Sequence, residues 1–323
     1  MSEQKLKVVL SHRCREQFIT ELRAEFPQVD FRLGFTPRDQ AREAVDADVI
    51  WGVLYREGFL AAKKLRWFCY LGIGVDSMFK LTPELPNSDL TMTYSRGPHV
   101  IAMAEYAFGM ILAFAHRLRD SFEDQRNHVW DTGKYHRTIG ELAGSTLGIL
   151  AFGDIGRAGA RRAAGFDMDV VAVDLAPTAA PQGVRAVWGM DRLDEMLATS
   201  DWIVVTAPWT PQTAGLVDRE RMAKIKRGAH LVVVSRGGVV DEGALIDALR
   251  SGQVAGAALD ALADEPPPDD HPLWDLPNAI VTAHTSAESA ENYDRRGEIF
   301  KQNLRRYLAG EPLMYVVDKG RGY

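Results

Sequence analysis

A chain of 323 residues, 46% hydrophobic and 25% charged, is longer than one hydrophobic core usually serves, and its balance is that of an ordinary globular protein of two domains. A net charge of -6, with Lys and Arg spread along the chain rather than blocked together, argues against a nucleic-acid-binding surface. The two cysteines, Cys14 and Cys69, have no metal-ligand spacing, so no metal site is expected and both thiols read as free and buried.

The first residues are polar and then strand-like, without the apolar core of a secretory leader, so a cytoplasmic protein is expected. Residues 7–11 read as a strand, 15–25 as a helix, 47–53 as an apolar run, 59–65 as a helix and 67–70 as a short strand. The pattern changes around Gly97-Pro98. Residues 100–118 form one long apolar helix, interrupted by Glu105 and too short to span a bilayer comfortably, so no membrane partner is expected. Core packing and a subunit interface are both open for this helix, and a homodimer is expected. The polar stretch 120–141, with Trp130, Tyr135 and His136, follows. Strand candidates then recur at 146–151, 170–174, 202–207, 230–234, 255–259 and 279–283, separated by helical segments. Six such strands are what a doubly wound dinucleotide-binding sheet requires. A last helical segment, 287–308, is too little for a domain and is predicted to cross back onto the N-terminal part. The predicted fold is α/β, with two Rossmann-like doubly wound parallel-sheet domains. The first is discontinuous (1–98 and 288–323) and the second covers 99–287.

Ala151-Phe152-Gly153-Asp154-Ile155-Gly156 follows a strand and opens a helix, as the turn that carries a dinucleotide pyrophosphate does. Gly153 and Gly156 take the places for backbone approach and for helix–strand packing, while Ala151 stands where the first glycine of that fingerprint belongs. The substitution matters only if the position needs a positive φ. Asp174 ends the next strand, 21 residues beyond Gly153, where an acid accepts from the adenosine ribose hydroxyls and repels a 2′-phosphate. NAD is the expected cofactor.

Arg236, Glu265 and His284 each lie beyond the carboxyl end of a strand candidate. Hydride transfer needs a carboxylate clamp, a proton donor and a group that tunes the donor, and these three types supply them. The chain here resembles the D-isomer-specific 2-hydroxyacid dehydrogenase family, and glyoxylate/hydroxypyruvate reductases within it. The resemblance rests on Leu71-Gly72-Ile73-Gly74-Val75-Asp76, Ala104-Glu105-Tyr106, the dinucleotide turn, Arg236-Gly237-Gly238-Val239-Val240-Asp241-Glu242, Asp260, Glu265-Pro266 and His284. It implies that residues 1–98 and 288–323 form the substrate domain and 99–287 the NAD-binding domain. It further implies that Arg236 binds the substrate carboxylate, that His284 is the general acid/base and that Glu265 tunes it. The amides of Leu71 and Gly72 become a second carboxylate clamp. Asp260 accepts from the nicotinamide carboxamide, and Gly153, Asp154, Ile155, Gly156, Asp174 and Pro208 complete the cofactor site. The departures are Ala151 and Ala283, the latter replacing the proline common before the histidine.

The substrate is read as a small 2-keto or 2-hydroxy acid. Tyr55 and Tyr70 are candidates to contact its C3 substituent. Arg56 either pairs with a second anionic group of the substrate or faces solvent and pairs with a neighbour such as Glu57. Two other functions stay open. One is phosphoglycerate dehydrogenase-type activity, whose larger enzymes continue into a regulatory domain. The other is a non-catalytic NAD-sensing regulator.

Overall fold

Runs such as Trp202-Ile203-Val204-Val205 are apolar on both side-chain faces, which suits strands covered by helices on both sides. The computed structural model, which describes residues 5–320, uses them that way. Its contacts divide the chain into two units, one made of Met1–Pro98 with Ser289–Tyr323 and the other of His99–Glu288.

The first unit alternates β1 (Leu6–Leu10), α1 (Glu16–Glu25), β2 (Val29–Leu33), α2 (Pro37–Ala44), β3 (Val49–Gly52), α3 (Arg56–Ala61), β4 (Trp67–Tyr70), α4 (Val75–Leu81) and β5 (Thr91–Tyr94). The strands are all parallel in the order β2-β1-β3-β4-β5, so the order reverses between β1 and β3. Alternate residues feed opposite cores: Val8 and Leu10 face one, Val9 the other. The last helix of the chain, Ala290–Ala309, belongs to this unit. Its Phe300 stacks on Trp51 with ring centroids 5.1 Å apart, so the unit is discontinuous. No sequence expectation covers β2, α2, α4 or β5. The helix Pro-Arg-Asp-Gln-Ala-Arg-Glu-Ala buries only Gln40 and Ala44, and its clearest signal is the Thr36 side chain accepting from the Asp39 amide just before Pro37.

The second unit opens with α5 (Val100–Ala115), α6 (Leu118–Arg126) and α7 (Thr132–Tyr135). Its sheet then follows with β6 (Thr146–Leu150), α8 (Asp154–Ala164), β7 (Asp169–Val173), β8 (Ala186–Trp188), α9 (Leu193–Thr199) and β9 (Trp202–Val205). It finishes with α10 (Arg219–Lys224), β10 (Ala229–Val233), α11 (Glu242–Ser251), β11 (Val254–Leu259) and β12 (Ala279–Val281), and the final helix of the first unit is α12 (Ala290–Ala309). The sheet has seven parallel strands, β12-β11-β10-β9-β6-β7-β8, not six. The strand missing from the sequence reading is β8, a three-residue edge strand too short to show a period, and β12 adds a strand beyond the six-stranded dinucleotide order.

The helix predicted over 100–118 breaks at Arg117, whose φ of 51° is left-handed, and α6 starts anew from there. Met103, Ala107, Phe108, Ile111 and Ala115 of α5 lie in the core of the second unit. Most of the apolar character of that helix therefore goes into packing, while Ile101 is 47% exposed. Exposed apolar side chains gather after it instead: Phe122 is 58% and Trp130 97% exposed, with Val129 and Ile139 about half.

Candidate active site

Because every ladder in the second unit is parallel, the carboxyl ends of β6, β7, β10, β11 and β12 lie along one edge. The residues expected to act on a ligand follow those ends. Beyond β6, Ala151 has a φ of 75°, so the left-handed turn that a glycine makes without strain is here made by alanine. Gly153 caps α8, and nothing lies within 4 Å of where its side chain would start, which leaves that side open to a ligand. A Cβ on Gly156 would meet the Ala151 carbonyl oxygen at 2.6 Å, so close helix–strand packing excludes a side chain there. The amides of Asp154 and Ile155 open the 11-residue helix, where an anion is favoured. Asp174, just past β7, accepts from the Phe152 amide at 2.7 Å and the Ala176 amide at 2.9 Å, one on each oxygen. It therefore holds the turn in place and still has acceptor capacity for hydroxyls. These features fit the adenosine and pyrophosphate half of a dinucleotide. Pro208 is exposed beyond β9, and its carbonyl accepts from the Thr213 hydroxyl at 2.6 Å.

His284 and Glu265 are brought together. His284 Nδ1 lies 2.8 Å from Glu265 Oε2, and Oε1 of the same carboxylate accepts from the Leu262 amide at 2.9 Å. The hydrogen bond to Glu265 raises the His284 pKa above the usual histidine value; burial and the positive charge of Arg236 oppose it. Burial works against ionisation of Glu265, but the hydrogen bonds from His284 and from the Leu262 amide outweigh it and hold its pKa below the usual carboxylate value. Arg236 sits just before a 3-10 turn, Gly237–Val239, and its Nη1 donates to the Ser235 carbonyl at 2.8 Å. Its charge acts on both members of the pair. Since Nδ1 is taken by Glu265, Nε2 is the nitrogen left to exchange a proton with a ligand.

Asp260 has a different visible role from the one expected. It is buried, and its carboxylate accepts from the Thr282 hydroxyl (2.6 Å) and from the amides of Thr285 and Ser286 (both 2.8 Å). It thus grips the segment on either side of His284, whose own φ of 53° is left-handed. One acceptor position remains for a carboxamide. Behind it, the Tyr106 hydroxyl bonds to Thr282, which ties α5 to the same segment, and burial pushes the Tyr106 phenol up to about 12. Glu242 accepts from the Ala263 amide, next to the Leu262 amide that Glu265 holds, and stands 3.4 Å from His271. Sequence alone does not mark Tyr106, Thr282 and Glu242 as positioning residues. Tyr106 and Glu242 lie inside quoted motifs, but only the folded chain shows what they touch.

Leu71, Gly72, Tyr55 and Tyr70 belong to the first unit, at or just beyond the ends of β3 and β4. The expectation for Leu71 needs correction: its amide donates to the Gly52 carbonyl at 3.3 Å, which leaves the Gly72 amide as the candidate clamp. Tyr70 and Tyr55 are half-buried; the Tyr70 hydroxyl lies 3.1 Å from Ser77 Oγ and the Tyr55 amide donates to the buried Gln40 at 2.9 Å. Arg56 is paired with Glu84, its Nε and Nη2 both within 2.8 Å of one carboxylate oxygen, so a neighbour and not a ligand takes its charge. Tyr135 donates to Asp124 at 2.5 Å, which commits its hydroxyl within its own unit, whereas His136 is exposed. Among the described residues no cluster of His, Cys, Asp and Glu is arranged to hold a metal.

Residues 108–286 match the sequence model of the D-isomer specific 2-hydroxyacid dehydrogenase NAD-binding domain. D-3-phosphoglycerate dehydrogenase of Mycobacterium leprae is 36% identical over 314 residues, covering 93% of this chain and 54% of that protein. The chain spans about half the length of the mycobacterial phosphoglycerate dehydrogenases it matches. Glyoxylate reductase of Thermofilum pendens is 33% identical over 261 residues, covering 80% of this chain and 76% of that protein. Among solved structures, a D-isomer specific 2-hydroxyacid dehydrogenase family protein of Aeromonas salmonicida superposes with a TM-score of 0.88 at 30% identity, covering 98% of this chain and all of that one.

Proposed function

We propose, from the premise that this chain belongs to the D-isomer specific 2-hydroxyacid dehydrogenase family, that it moves a hydride between NAD(H) and C2 of a small 2-keto or 2-hydroxy acid. One observation carries the reading: His284 Nδ1 is 2.8 Å from a Glu265 carboxylate, with the charge of Arg236 bearing on both. The dinucleotide, when bound, supplies or accepts the hydride. Arg236 holds the substrate carboxylate and polarises the C2 carbonyl. In reduction His284 gives the carbonyl oxygen its Nε2 proton, so hydride and proton together make the alcohol, and in oxidation His284 takes that proton back. Glu265 keeps the imidazole charged and oriented, and Asp260 holds the segment that carries it. Gly153, Asp154, Ile155, Gly156, Asp174 and Pro208 are assigned to the cofactor. Gly72, Tyr55 and Tyr70 are assigned to the substrate on the family resemblance.

NAD is chosen over NADP because a carboxylate at the Asp174 position, followed by an exposed Leu175 and not by an arginine, repels a 2′-phosphate. The two cysteines are free, and no single described helix is long and apolar enough to cross a membrane; cytoplasmic residence is part of the proposal. So is a homodimer, supported by the exposed Phe122, Val129, Trp130 and Ile139. Light scattering at micromolar concentration checks it, a mass near 36 kDa counting against it. Phosphoglycerate dehydrogenase-type activity is the second reading, favoured by the 36% identity to such an enzyme. A panel of 2-keto acids that includes glyoxylate, hydroxypyruvate and 3-phosphohydroxypyruvate, assayed with NADH at the nicotinamide absorbance, decides between them. His284→Asn is expected to lose about 100- to 10,000-fold in turnover while binding NADH normally. Retention of more than a tenth of the rate would refute the assignment of the proton donor.

A further inference from the structure

Four charged side chains are buried among the described residues: Asp124, Asp260, Arg296 and Lys301. A buried charge is stable when hydrogen-bonding partners replace its lost water. Asp124 has Lys134 and Tyr135, and Asp260 has Thr282 and two amides. Lys301, on α12, has Glu298 and Glu21. Arg296 lies on the same helix and is equally buried, at 8% exposed, yet no hydrogen bond or carboxylate partner among the described residues serves it. Its guanidinium carbon stands 5.1 Å from the centre of the Tyr293 ring, and the His12 ring stacks on Tyr293 at 5.2 Å with the planes 11° apart. A ring face offsets part of the missing solvation, but the five in-plane N–H donors of the fork have no acceptor among the described residues.

The position of this group is a second observation. His12 follows β1, and the sheet order of the first unit reverses between β1 and β3. Open α/β sheets take ligands beyond the carboxyl ends of their strands at such a reversal. The geometry points to Arg296 as the anchor of an oxyanion site within the first unit, one that takes a small molecule bearing a carboxylate or phosphate group. A planar fork suits two oxygens of such a group better than an ammonium does. The anion has two possible sources, a second acidic group on the keto acid or a separate small anion. Only the first rests on the proposed function.

The test follows thermal unfolding of the full chain with added inorganic phosphate or malonate, in wild type and in Arg296→Met. Methionine fills similar space without a charge, so the anion-free variant melts at or above the wild-type temperature, and the anion-dependent rise in Tm seen in wild type is lost. Arg296→Lys keeps the charge without the fork and retains part of the rise. A kinetic arm then compares glyoxylate with the dianionic keto acid oxaloacetate. A KM for oxaloacetate at least tenfold higher in Arg296→Met, with glyoxylate unchanged, makes the substrate the source of the anion; unchanged values for both make it a separate anion. The proposal is overturned if neither anion raises the wild-type Tm, if the rise survives in Arg296→Met, or if that variant melts lower or does not fold, since the guanidinium would then serve structure alone.

Discussion

Gly237→Ala is a test of the proposed catalytic arrangement that removes none of the groups assigned to the reaction. Gly237 follows Arg236, and its backbone φ is one that any residue adopts, so the substitution carries no torsional penalty. The cost is steric. A Cβ there would lie 2.1 Å from the Leu262 carbonyl carbon and 2.4 Å from the Ala263 nitrogen, where ordinary contact begins near 3.4 Å. Two stretches of backbone must separate by roughly 1 Å or more, because neither neighbour is a side chain that can turn aside. One stretch carries Arg236; the other carries the amides that hold Glu265 and Glu242. A displacement of about 1 Å in a reacting constellation costs roughly 100-fold in rate, and overpacking costs about 1–3 kcal/mol in stability. The measurements are kcat/KM on the best keto acid and the denaturant midpoint. Dinucleotide affinity is expected to hold, because the turn around Gly153 lies at a different strand end. Gly238→Ala is the matched control: its Cβ would meet only the Trp209 side chain, at 3.0 Å, and less than a threefold loss is expected. Equal losses in the two variants, or Gly237→Ala within threefold of wild type at unchanged stability, would refute the reasoning.

Three further outcomes follow from the same geometry. Glu265→Gln removes the carboxylate that raises the His284 pKa, so the imidazole loses its proton at lower pH and the alkaline limb of the reduction profile moves down; an unmoved limb would sink the pairing. The stability that the raised His284 contributes is present at low pH and fades as pH rises through its folded pKa, and the variant loses this pH dependence. Asp174→Ala narrows the preference for NADH over NADPH in kcat/KM but also weakens both cofactors, because the Phe152 amide in the turn loses its acceptor. Ala151→Gly relieves a left-handed alanine, which costs about 1–2 kcal/mol, against about 0.5–1 kcal/mol for glycine's greater freedom in the unfolded chain. A higher denaturant midpoint by roughly 0.5–1 kcal/mol is expected, and a lower one would show that the turn is not strained.

What the sequence made legible was whatever repeats in a period or sits in a motif. Buried strands such as Trp202–Val205 announce themselves by composition, and Gly153, Asp174, Arg236, Glu265 and His284 by their spacing from strand ends. Short edge elements escaped: Ala186–Trp188 and Thr91–Tyr94 are too brief to display alternation, and Pro37–Ala44 buries too little to show an apolar face. Roles that depend on long-range contact escaped as well. Nothing local in Asp260 reveals that it grips residues more than twenty positions away, and nothing local in Leu71 reveals that its amide is already spent on Gly52. Arg56 had two readings because its partner, Glu84, is 28 residues distant.

The route of the chain through its two units also bears on how the protein is made. A ribosome releases residues up to Pro98 well before α12, yet the core they form includes Phe300 and Leu304 of α12, packed among Trp51 and Trp67. The aromatic faces of the first ninety-odd residues therefore stay uncovered while nearly two hundred more are synthesised. The His99–Glu288 unit has no such debt to later sequence, because its strands and α5 are all in hand by Glu288. The His99–Glu288 unit thus has all its residues available before the unit whose strands precede it in the chain does.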